Sequence, residues 1–567
     1  MVSLHQLKAT TLRLVKLIVV LCFGIVVALE QSAFSSDRPN VVIILVDDMG
    51  WSDIGCYGSE IPTPHLDSLA KNGLRFTQFY NTGRCSPTRA SLMTGHYPHQ
   101  AGMGHLDGTY VPNHPGYQAR IADSSVTMAE VLKEAGYFTA MTGKWHLGQG
   151  RGTPPWSRGF MRSLNLAAGG VHFARQTAWR QDAKLYLNGE EKATDDPLFG
   201  PDWYGTDLWT EWGLKFIDEA LSEKKPFFLY LAHCAPHFPL MAPASDIAKF
   251  RGQYLVGWDK LREERYRKQI AMGLIDPRWP LSPLPENTPP WESVSQAERD
   301  RFDQIMAIYA AMIYAIDRSV GTLVDGLKQR GVLENTVIFF LSDNGGNAES
   351  GPNGRCEGDN PGDRHSVVFL GQNWATLNNT PFRKWKHYVH EGGSATPLIV
   401  HWPAGLDPNR RGQLYHEPAH VIDLMPTVVQ LCGAAYPTEY NGHAIEPMEG
   451  VSLVPAFSGR PIERRQPIFF NHEQNRAVRD GKWKLVALAG QPWELYDMEA
   501  DRTELNDLAV QYPERVAAMA AQYEAWAKRT HVVVEGIRDP FDKPAGKPAG
   551  RNWQPKTSLA VAAPPSP

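Results

Sequence analysis

Two polar doublets follow apolar runs in the sequence: Asp47-Asp48 comes directly after NVVIILV, and Asp343-Asn344 follows TVIFFL after one serine. Each doublet alone is also typical of a turn or a helix cap. All four side chains offer oxygen ligands, which favour a hard cation over Zn2+, an ion that prefers nitrogen and sulfur. Calcium accepts irregular sets of six to eight oxygens, whereas magnesium demands a near-ideal octahedron. We therefore expect Ca2+ rather than Mg2+ between the two doublets.

A third stretch, RCSPTRASLMTG, places a cysteine where a helix is expected to begin. Cys85 or Ser86 can act as the N-cap, Pro87 suits the first helical position, and Gly95 can end the helix. A thiol at a helix N-terminus, with Arg89 about one turn away, would be acidified and nucleophilic. The alternative is a small buried side chain that merely begins a short helix. The residues of this stretch do not decide between the two.

Two further apolar runs also end in polar clusters. The run Tyr137–Thr142 leads into GKWHLG, which places Lys144 and His146 just past the predicted strand. The run Phe227–Ala232 leads into HCAPHFP, which contains His237. Ligands of doubly wound sheets bind beyond the carboxyl ends of the strands. Four polar clusters at such ends therefore indicate one functional site at one edge of a sheet.

The elements that must position these clusters form an α/β pattern. From Arg38 to about Trp402, β-like runs alternate with helical patterns, which predicts a large mixed, mostly parallel sheet sandwiched by helices. Pro397–His401 is a further strand candidate. A long amphipathic helix is predicted over Gln296–Arg330, because its apolar residues recur at helical spacing.

The domain organisation follows from changes in sequence texture. Residues 38–458 are predicted to form the catalytic α/β domain, with an insertion at about 241–296 that carries its own short helix. Residues 459–535 are predicted to form a smaller α+β domain whose antiparallel strands precede a helix at about Pro513–Arg529. Residues 536–567 are rich in Pro, Ala and Lys, and we expect them to be disordered.

The N-terminus is typical of an export signal. Basic residues precede or border an apolar run, LIVVLCFGIVVAL from Leu17 to Leu29, which is short for a membrane span. We expect residues 1–33 to be a signal peptide and the protein to be periplasmic or extracellular, with no stable membrane span once the signal is removed. An uncleaved N-terminal anchor is the alternative. Removal leaves five cysteines, which allow one or two disulfides that the sequence cannot assign.

Composition limits the possible partners. The 567 residues are 43% hydrophobic and 21% charged, as in ordinary globular proteins, and they are numerous enough for two domains. The net charge is −4 and the chain has no basic stripe, so no nucleic-acid partner is expected.

Together these motifs resemble a known family. Cys85-Ser86-Pro87-Thr88-Arg89 matches the C-x-P-x-R signature of type I, formylglycine-dependent sulfatases. RPNVVIILVDDMGWSDIGCYG, GKWHLG, APHFP, SDNGG and NTPFRKWKHYVHEGG match further family blocks in the expected order. The resemblance is greatest to the arylsulfatase branch, and it implies the alkaline phosphatase-like fold and sulfuric ester hydrolase activity.

The resemblance implies a modified residue and a metal site. In this family the motif cysteine is oxidised after translation to Cα-formylglycine (3-oxoalanine), an aldehyde whose hydrate is the nucleophile. A divalent cation, usually calcium, would be held by the two doublets, with residue 85 and a sulfate oxygen completing its shell. The implied protein ligands are Asp47, Asp48, Cys85, Asp343 and Asn344.

Roles for five basic residues are implied in the same way. Arg89 would hold the hydrate in place, while Lys144 and Lys386 would grip sulfate oxygens. His237, with help from Lys386, would protonate the leaving oxygen, and His146 would take a proton from the remaining hydroxyl after attack. That hydroxyl would then expel sulfate and regenerate the aldehyde, which a serine ester could not do.

The expected partners are a sulfated small molecule or a sulfated glycan as substrate and a formylglycine-generating enzyme for maturation. One rival is a phosphonate monoester or phosphodiester hydrolase of the same superfamily, but such relatives tend to carry histidine where Asn344 stands and to prefer manganese or zinc. The other rival is a non-catalytic glycan-binding relative. That protein should have lost part of the constellation, whereas every position is filled here.

Overall fold

A computed structural model gives the fold of residues 38–179 and 181–532. The predicted signal peptide at residues 1–33 and the predicted tail at residues 536–567 lie outside the described residues, as do the last three residues of the predicted C-terminal domain. The boundary after residue 458 stays a prediction.

Nineteen strands are present in the described ranges. The strands of the large sheet and its flanking ribbons are β1 (Asn40–Val46), β2 (Leu74–Tyr80), β3 (Phe138–Lys144), β4 (Arg162–Leu166), β5 (Lys184–Leu187), β6 (Glu190–Ala193), β7 (Phe227–Ala232), β8 (Thr336–Ser342), β9 (Arg355–Glu357), β10 (Val367–Phe369), β11 (Ala395–His401), β12 (Leu414–Tyr415) and β13 (Ala419–His420). The strands nearer the C-terminus are β14 (Glu439–Tyr440), β15 (His443–Ala444), β16 (Ile468–His472), β17 (Asn475–Asp480), β18 (Trp483–Ala487) and β19 (Glu494–Asp497).

The helices of the described residues are α1 (Pro64–Lys71), α2 (Cys85–Thr94), α3 (Met128–Glu134), α4 (Gly205–Ser222), α5 (Ala244–Ile247), α6 (Trp258–Ala271), α7 (Gln296–Gln329), α8 (Gln372–Asn378), α9 (Glu391–Ser394), α10 (Leu424–Cys432), α11 (Val454–Phe457) and α12 (Pro513–Arg529). The predicted long helix and the predicted C-terminal helix are therefore confirmed as α7 and α12. The predicted insertion carries α6.

The centre of the large sheet is parallel, as predicted. Its strands lie in the order β12-β2-β11-β8-β1-β7-β3-β4-β5-β6, with β13 also paired to β2. Leu45 of β1 pairs in parallel register with Ala232 of β7 and Leu341 of β8. Strands β1, β3, β7 and β8 are buried along their whole length, which explains their continuous apolar runs. Their carboxyl ends therefore lie side by side at one edge.

Two details of the strand predictions were wrong. The third strand runs to Lys144 rather than Thr142, so Lys144 is the last residue of β3 and does not follow it. The strand predicted at Pro397–His401 begins at Ala395 and runs antiparallel to both β8 and β2. A fully buried antiparallel strand has the same continuous apolar pattern as a parallel one, so the sequence did not reveal its direction.

A second sheet confirms the predicted C-terminal α+β unit. Strands β16, β17, β18 and β19 form an antiparallel meander, and α12 packs on it through Met519, Tyr523 and Trp526. By length and apolar content alone, α7 is the one helix of the described residues that could cross a membrane. However, 78% of its most apolar window is buried in the protein core.

Among the described residues all five cysteines are free thiols. The one or two disulfides that the sequence left open therefore do not form among them.

Candidate active site

The two predicted doublets meet at the carboxyl ends of β1 and β8. The Asp48 N–H donates to Asp343 Oδ1 at 3.3 Å, and Asn344 Nδ2 donates to Asp48 Oδ1 at 2.7 Å. Asp48 has a φ of 71°, a left-handed conformation that turns the chain directly after the strand. Asp47, Asp48, Asp343 and Asn344 are all buried, so the parallel register brings together side chains nearly 300 residues apart.

Two oxygens of this group are left without a partner. Asp47 Oδ1 and Asn344 Oδ1 are buried, and no hydrogen-bond donor of the described residues reaches either atom. Ligand atoms of Asp47, Asp48, Cys85 and His237 lie within 4.8 Å of one another. Because a buried oxygen without a partner is costly, this donor set fits a hard cation.

Cys85 is the first residue of α2, and its side chain is buried. The residue before it, Arg84, is the N-cap with extended φ and ψ, so the prediction of Cys85 or Ser86 as the N-cap was wrong. Gly95 is the left-handed C-cap, as predicted. Burial raises the pKa of the Cys85 thiol to about 12, although Lys386 and Lys144 act to lower it. Of the two alternatives that the sequence left open, the structure therefore favours the buried thiol over the acidified one for the unmodified side chain.

Three buried cations pair with the carboxylates of this site. Arg89 donates to Asp343 Oδ2 through Nε at 3.0 Å and Nη2 at 2.9 Å. Lys144 Nζ lies 2.5 Å from Asp47 Oδ2, and Lys386 Nζ lies 2.8 Å from Asp48 Oδ1. Three carboxylates thus face three cations, and the formal charges of these six groups balance.

A glycine at position 143 allows β3 to place Lys144 beside Asp47. Gly143 has a φ of 99°, and a Cβ there would lie 1.9 Å from the carbonyl oxygen of Ala232 on β7. Only glycine permits this close approach of two neighbouring strands immediately before Lys144.

The neighbouring carboxylates differ in acidity. Burial and the negative charge of Asp47 together raise the pKa of Asp343 to about 7, against the opposing effect of Arg89. Burial also acts to raise the pKa of Asp47, but Lys144, His237 and Arg89 together hold it well below its usual value. Without a cation, the site therefore keeps Asp47 ionised while Asp343 titrates near neutral pH.

Two of the predicted histidines lie at the edge of the carboxylate group. His237 Nε2 is 3.7 Å from Asp48 Oδ2, while Nδ1 donates to the Phe238 carbonyl at 2.6 Å. His146, with a φ of 59°, places Nε2 at 3.3 Å from Asp107 Oδ1. Burial lowers the pKa of each imidazole to about 4.

Sequence reasoning missed three polar residues of this site. Asp107 contacts His146, Asn347 Nδ2 donates to Asp48 Oδ2 at 2.6 Å, and Glu349 Oε2 lies 3.2 Å from Lys386 Nζ. All three belong to connecting segments and to none of the quoted motifs. The proximity of Asn347 and Glu349 to SDNGG was the one available signal.

Comparison with known families identifies the chain. The family model described as Sulfatase matches residues 39–434, and the model described as N-sulphoglucosamine sulphohydrolase, C-terminal, matches residues 383–528. The chain belongs to the sulfatase family. This sulfatase is 32% identical to an uncharacterized sulfatase of Schizosaccharomyces pombe over 88% of this chain and 95% of the relative. It is also 35% identical to an arylsulfatase of Klebsiella aerogenes, over 74% of this chain and 92% of the relative.

Similarity to arylsulfatase A of Homo sapiens is 29% identity over 81% of this chain and 77% of the relative. Family membership and these relatives make the protein a sulfuric ester hydrolase. Among solved structures, Ps i-CgsB matches with a TM-score of 0.65 and 28% identity, covering 87% of this chain and 94% of the other. A phosphonate monoester hydrolase of Agrobacterium radiobacter matches with a TM-score of 0.54 and 20% identity, which shows the shared alkaline phosphatase-like fold alone.

Proposed function

We propose that this sulfatase hydrolyses sulfate monoesters with a formylglycine formed from Cys85 and a divalent cation, calcium, releasing inorganic sulfate and an alcohol or phenol. The observation that carries the proposal is one buried group in which Cys85, three carboxylates, Asn344 and three cations converge. The family match supports sulfate rather than another ester. Asn344, where the phosphonate-type rivals tend to carry histidine, also favours sulfate.

The cation would be held by Asp47, Asp48, Asp343, Asn344 and residue 85. The two unpartnered oxygens, Asp47 Oδ1 and Asn344 Oδ1, support this set. The cation and the aldehyde hydrate together supply Lewis acidity and an oxygen nucleophile that the ordinary side chains lack. Sulfate binding and proton transfer would be carried out by the protein's own side chains.

Binding of the sulfate group falls to the lysines and the arginine. Lys144 and Lys386 pair with Asp47 and Asp48, and both ammonium groups are buried next to Cys85, whose thiol they influence. Donors fixed in a buried site stabilise developing charge without reorganising at the moment of reaction. Arg89, fixed by Asp343 and by the Lys144 carbonyl at 2.9 Å, would orient residue 85.

Proton transfer falls to the two histidines. Because His237 Nδ1 donates to the Phe238 carbonyl, Nε2 is the ring atom that faces Asp48 and would pass a proton to the leaving oxygen. This requires the protonated ring, so binding of the anionic sulfate ester would have to raise the pKa of His237 from about 4. Because His146 Nε2 faces Asp107, Nδ1 is the atom left to accept a proton, and no hydrogen-bond partner of the described residues reaches it. A positioned acid or base contributes about 10²–10⁴-fold to rate.

Maturation and location complete the proposal. We infer that the protein is exported after removal of residues 1–33, is periplasmic or extracellular, and depends on a formylglycine-generating enzyme. The signal-like N-terminal sequence and the C-x-P-x-R motif support this inference.

The test combines mass spectrometry with turnover. The peptide that contains Cys85 should show the mass loss of aldehyde formation, and the matured protein should release sulfate from 4-nitrophenyl sulfate in preference to 4-nitrophenyl phenylphosphonate. Cys85→Ala should reduce sulfate release at least about 10⁴-fold. Cys432→Ala, which removes a buried thiol from α10, is the matched control and should keep turnover. Full activity of Cys85→Ala would refute the nucleophile assignment.

A further inference from the structure

Beside Cys85, a group of charged side chains forms what we call the polar wall: Arg84, His105, Glu349, His387 and Glu473. Arg84 Nη1 and His387 Nε2 lie 2.7 and 3.0 Å from Glu349 Oε1. His387 Nδ1 is 3.6 Å from Glu473 Oε2, and His105 Nε2 is 2.8 Å from Glu473 Oε1. The wall therefore runs from the residue before Cys85 to the C-terminal sheet.

A strained turn places Glu473 in the polar wall. His472 of β16 pairs with Asn475 of β17, so Glu473 and Gln474 form the two-residue loop, with φ values of 47° and 66°. Such turns strongly favour Asn-Gly, because other residues are strained in this left-handed conformation. Strain that persists at a site is a reason to look for function. Here the strain places a carboxylate beside the catalytic pocket.

The Glu473 carboxylate is fit to accept hydrogen bonds. Burial acts to raise its pKa, but hydrogen bonds from His105 and His387 lower it far more. The lowered pKa keeps the carboxylate ionised at neutral pH. The side chain is 31% exposed, so a ligand can reach it.

Metal binding is a less suitable role for this corner. Ligand atoms of His105, His472 and Glu473 lie within 4.8 Å of one another. However, His105 Nδ1 accepts the Leu106 N–H at 2.8 Å, so in the neutral ring Nε2 carries the proton that it donates to Glu473. A protonated nitrogen has no lone pair for a metal. Hydrogen bonding is the function that the geometry favours.

Aromatic rings form a second group beside the candidate site, which we call the aromatic wall: Trp179, Phe238 and Phe369. Phe238 and Phe369 stack with ring centroids 4.4 Å apart, and Trp179 meets both edge-on at 5.9 and 5.8 Å. The His237 ring lies 4.2 Å from Phe238, so the wall begins at the proposed acid. All three aromatic side chains are partly exposed.

Lys386 connects the two walls. Its Nζ lies 3.2 Å from Glu349 of the polar wall and 5.9 Å from the Phe238 ring centroid of the aromatic wall. A substrate whose sulfate group contacts Lys386 would thus have hydrogen-bonding groups on one side and aromatic rings on the other.

This combination selects a type of substrate. A pyranose ring has an apolar C–H face for an aromatic surface and hydroxyls for carboxylate, imidazole and guanidinium partners. A phenyl ring would displace water from the exposed parts of Glu349, His387 and Glu473 without offering a hydrogen bond in return, although their contacts with one another would remain. Two carboxylates, Glu349 and Glu473, would also repel a uronate next to the sulfate group.

We propose that the substrate is the sulfate ester of a neutral sugar residue, whose ring stacks on Phe238 and whose neighbouring hydroxyls bind Arg84, His387 and Glu473. Glu473 is the specificity-determining residue that the C-terminal sheet supplies. The inference rests on the proposed sulfate ester hydrolysis.

The test compares substrates in wild type and Glu473→Gln. Galactose 6-sulfate, N-acetylgalactosamine 6-sulfate and N-acetylglucosamine 6-sulfate are each compared with 4-nitrophenyl sulfate by released sulfate. The substitution should lower kcat/KM for the preferred sugar sulfate about tenfold relative to the aryl sulfate, mainly through KM, since a hydrogen bond to a charged group contributes about 1.5–3 kcal/mol. Glu524→Gln, an exposed glutamate of α12, is the matched control and should leave the ratio unchanged.

Binding without turnover gives a second measurement. In Cys85→Ala protein, calorimetry should show that Glu473→Gln weakens binding of the preferred sugar sulfate about tenfold and leaves binding of inorganic sulfate unchanged. Gln474→Gly relaxes the turn but keeps the carboxylate, so it should retain the sugar preference with an equal or higher melting temperature.

Each outcome decides the question. An equal loss for sugar and aryl sulfates in Glu473→Gln would mean that Glu473 only docks the turn, and it would overturn the inference. Turnover of the aryl sulfate with no turnover of any sugar sulfate would overturn this inference and leave the proposed function standing. Failure of formylglycine-containing protein to cleave any sulfate ester would overturn both.

Discussion

Two buried clusters of charge in this molecule are built from similar side chains yet differ in one respect. The cluster at the proposed active site, which we call the catalytic cluster, contains three aspartates, Asn344, Arg89, Lys144 and Lys386. The anchor cluster joins Glu391 of the large domain to Lys484, Arg502 and Glu504 of the C-terminal unit. Every one of these side chains is at most 1% exposed.

In the anchor cluster every carboxylate oxygen lies within 3.0 Å of a nitrogen. Lys484 Nζ lies 2.8 Å from both Glu391 Oε1 and Glu504 Oε1, Arg502 Nε lies 2.8 Å from Glu391 Oε2, and the Glu391 N–H donates to Glu504 Oε2 at 3.0 Å. Glu504 Oε1 and the two terminal nitrogens of Arg502 nevertheless make no well-aligned hydrogen bond among the described residues. The Arg502 guanidinium also lies 4.6 Å from the Phe382 ring.

The catalytic cluster is open to a cation, because its unpartnered atoms, Asp47 Oδ1 and Asn344 Oδ1, are both oxygens, whereas the anchor cluster also leaves two guanidinium nitrogens of Arg502 unpartnered among the described residues. The protonation of Asp343 in this cluster also changes near neutral pH, because burial and Asp47 raise its pKa to about 7. A buried ionic group whose unpartnered atoms are all oxygens suits a cation, whereas one that also leaves guanidinium nitrogens unpartnered does not. Four measurements test this contrast.

The largest effect is expected from Asp343→Asn. Loss of a proposed metal-ligand charge and of the Arg89 partner should lower kcat/KM about 10³-fold. The melting temperature of the calcium-free protein should fall less than in Lys484→Met, because Arg89 loses a carboxylate whose ionised form is already disfavoured by burial. Turnover of 4-nitrophenyl sulfate and thermal unfolding provide the two readings, and a large loss of stability would remove the contrast between the clusters.

Lys484→Met should show the opposite pattern. Removing one partner of a buried ion pair leaves uncompensated carboxylates and is expected to lower the free energy of unfolding by about 3–5 kcal/mol. Activity per folded molecule should change far less. Denaturant unfolding followed by two probes measures the loss, and Lys482→Met, at a partly exposed pair with Asp497, is the control for which a loss below about 1 kcal/mol is expected.

Calcium removal should affect the open cluster alone. Exhaustive dialysis against EGTA should abolish turnover reversibly, and free Ca2+ at about 100 times its Kd should then raise the unfolding free energy by about 2.7 kcal/mol. Asp343→Asn should show a smaller calcium effect, whereas Lys484→Met should show the full one. Full activity after exhaustive chelation would contradict the calcium assignment.

The smallest effect concerns pH in the calcium-free protein. The folded pKa of Asp343 is raised from 3.8 to about 7 by burial and Asp47, so the folded state binds its proton more tightly than the unfolded state. This contribution to stability is complete below the unfolded pKa and is lost as pH rises through 7. Between pH 6 and pH 8, wild type should lose about 1 kcal/mol more than Asp343→Asn does. A wild-type loss no larger than that of the variant would contradict the shifted pKa.

Much of the fold was predictable for one reason. Strands buried on both faces must be continuously apolar, so β1, β3, β7 and β8 stood out, and so did the polar residues at their ends. The long helix α7 was equally visible through its apolar periodicity. The direction of β11 and the N-cap of α2 were not predictable, because neither changes the local amino-acid composition.

Short motifs and local apolar patterns were enough to predict the family, the fold class and the residue types of the candidate catalytic group. Only the folded structure shows which oxygens remain without partners, that burial raises the pKa of the Cys85 thiol, and that Asp107, Glu349 and Glu473 lie beside the candidate site. Burial and charge at a site depend on segments hundreds of residues apart. Local sequence therefore identifies the chemical groups, and the packing of distant segments determines their ionisation and which other groups they contact.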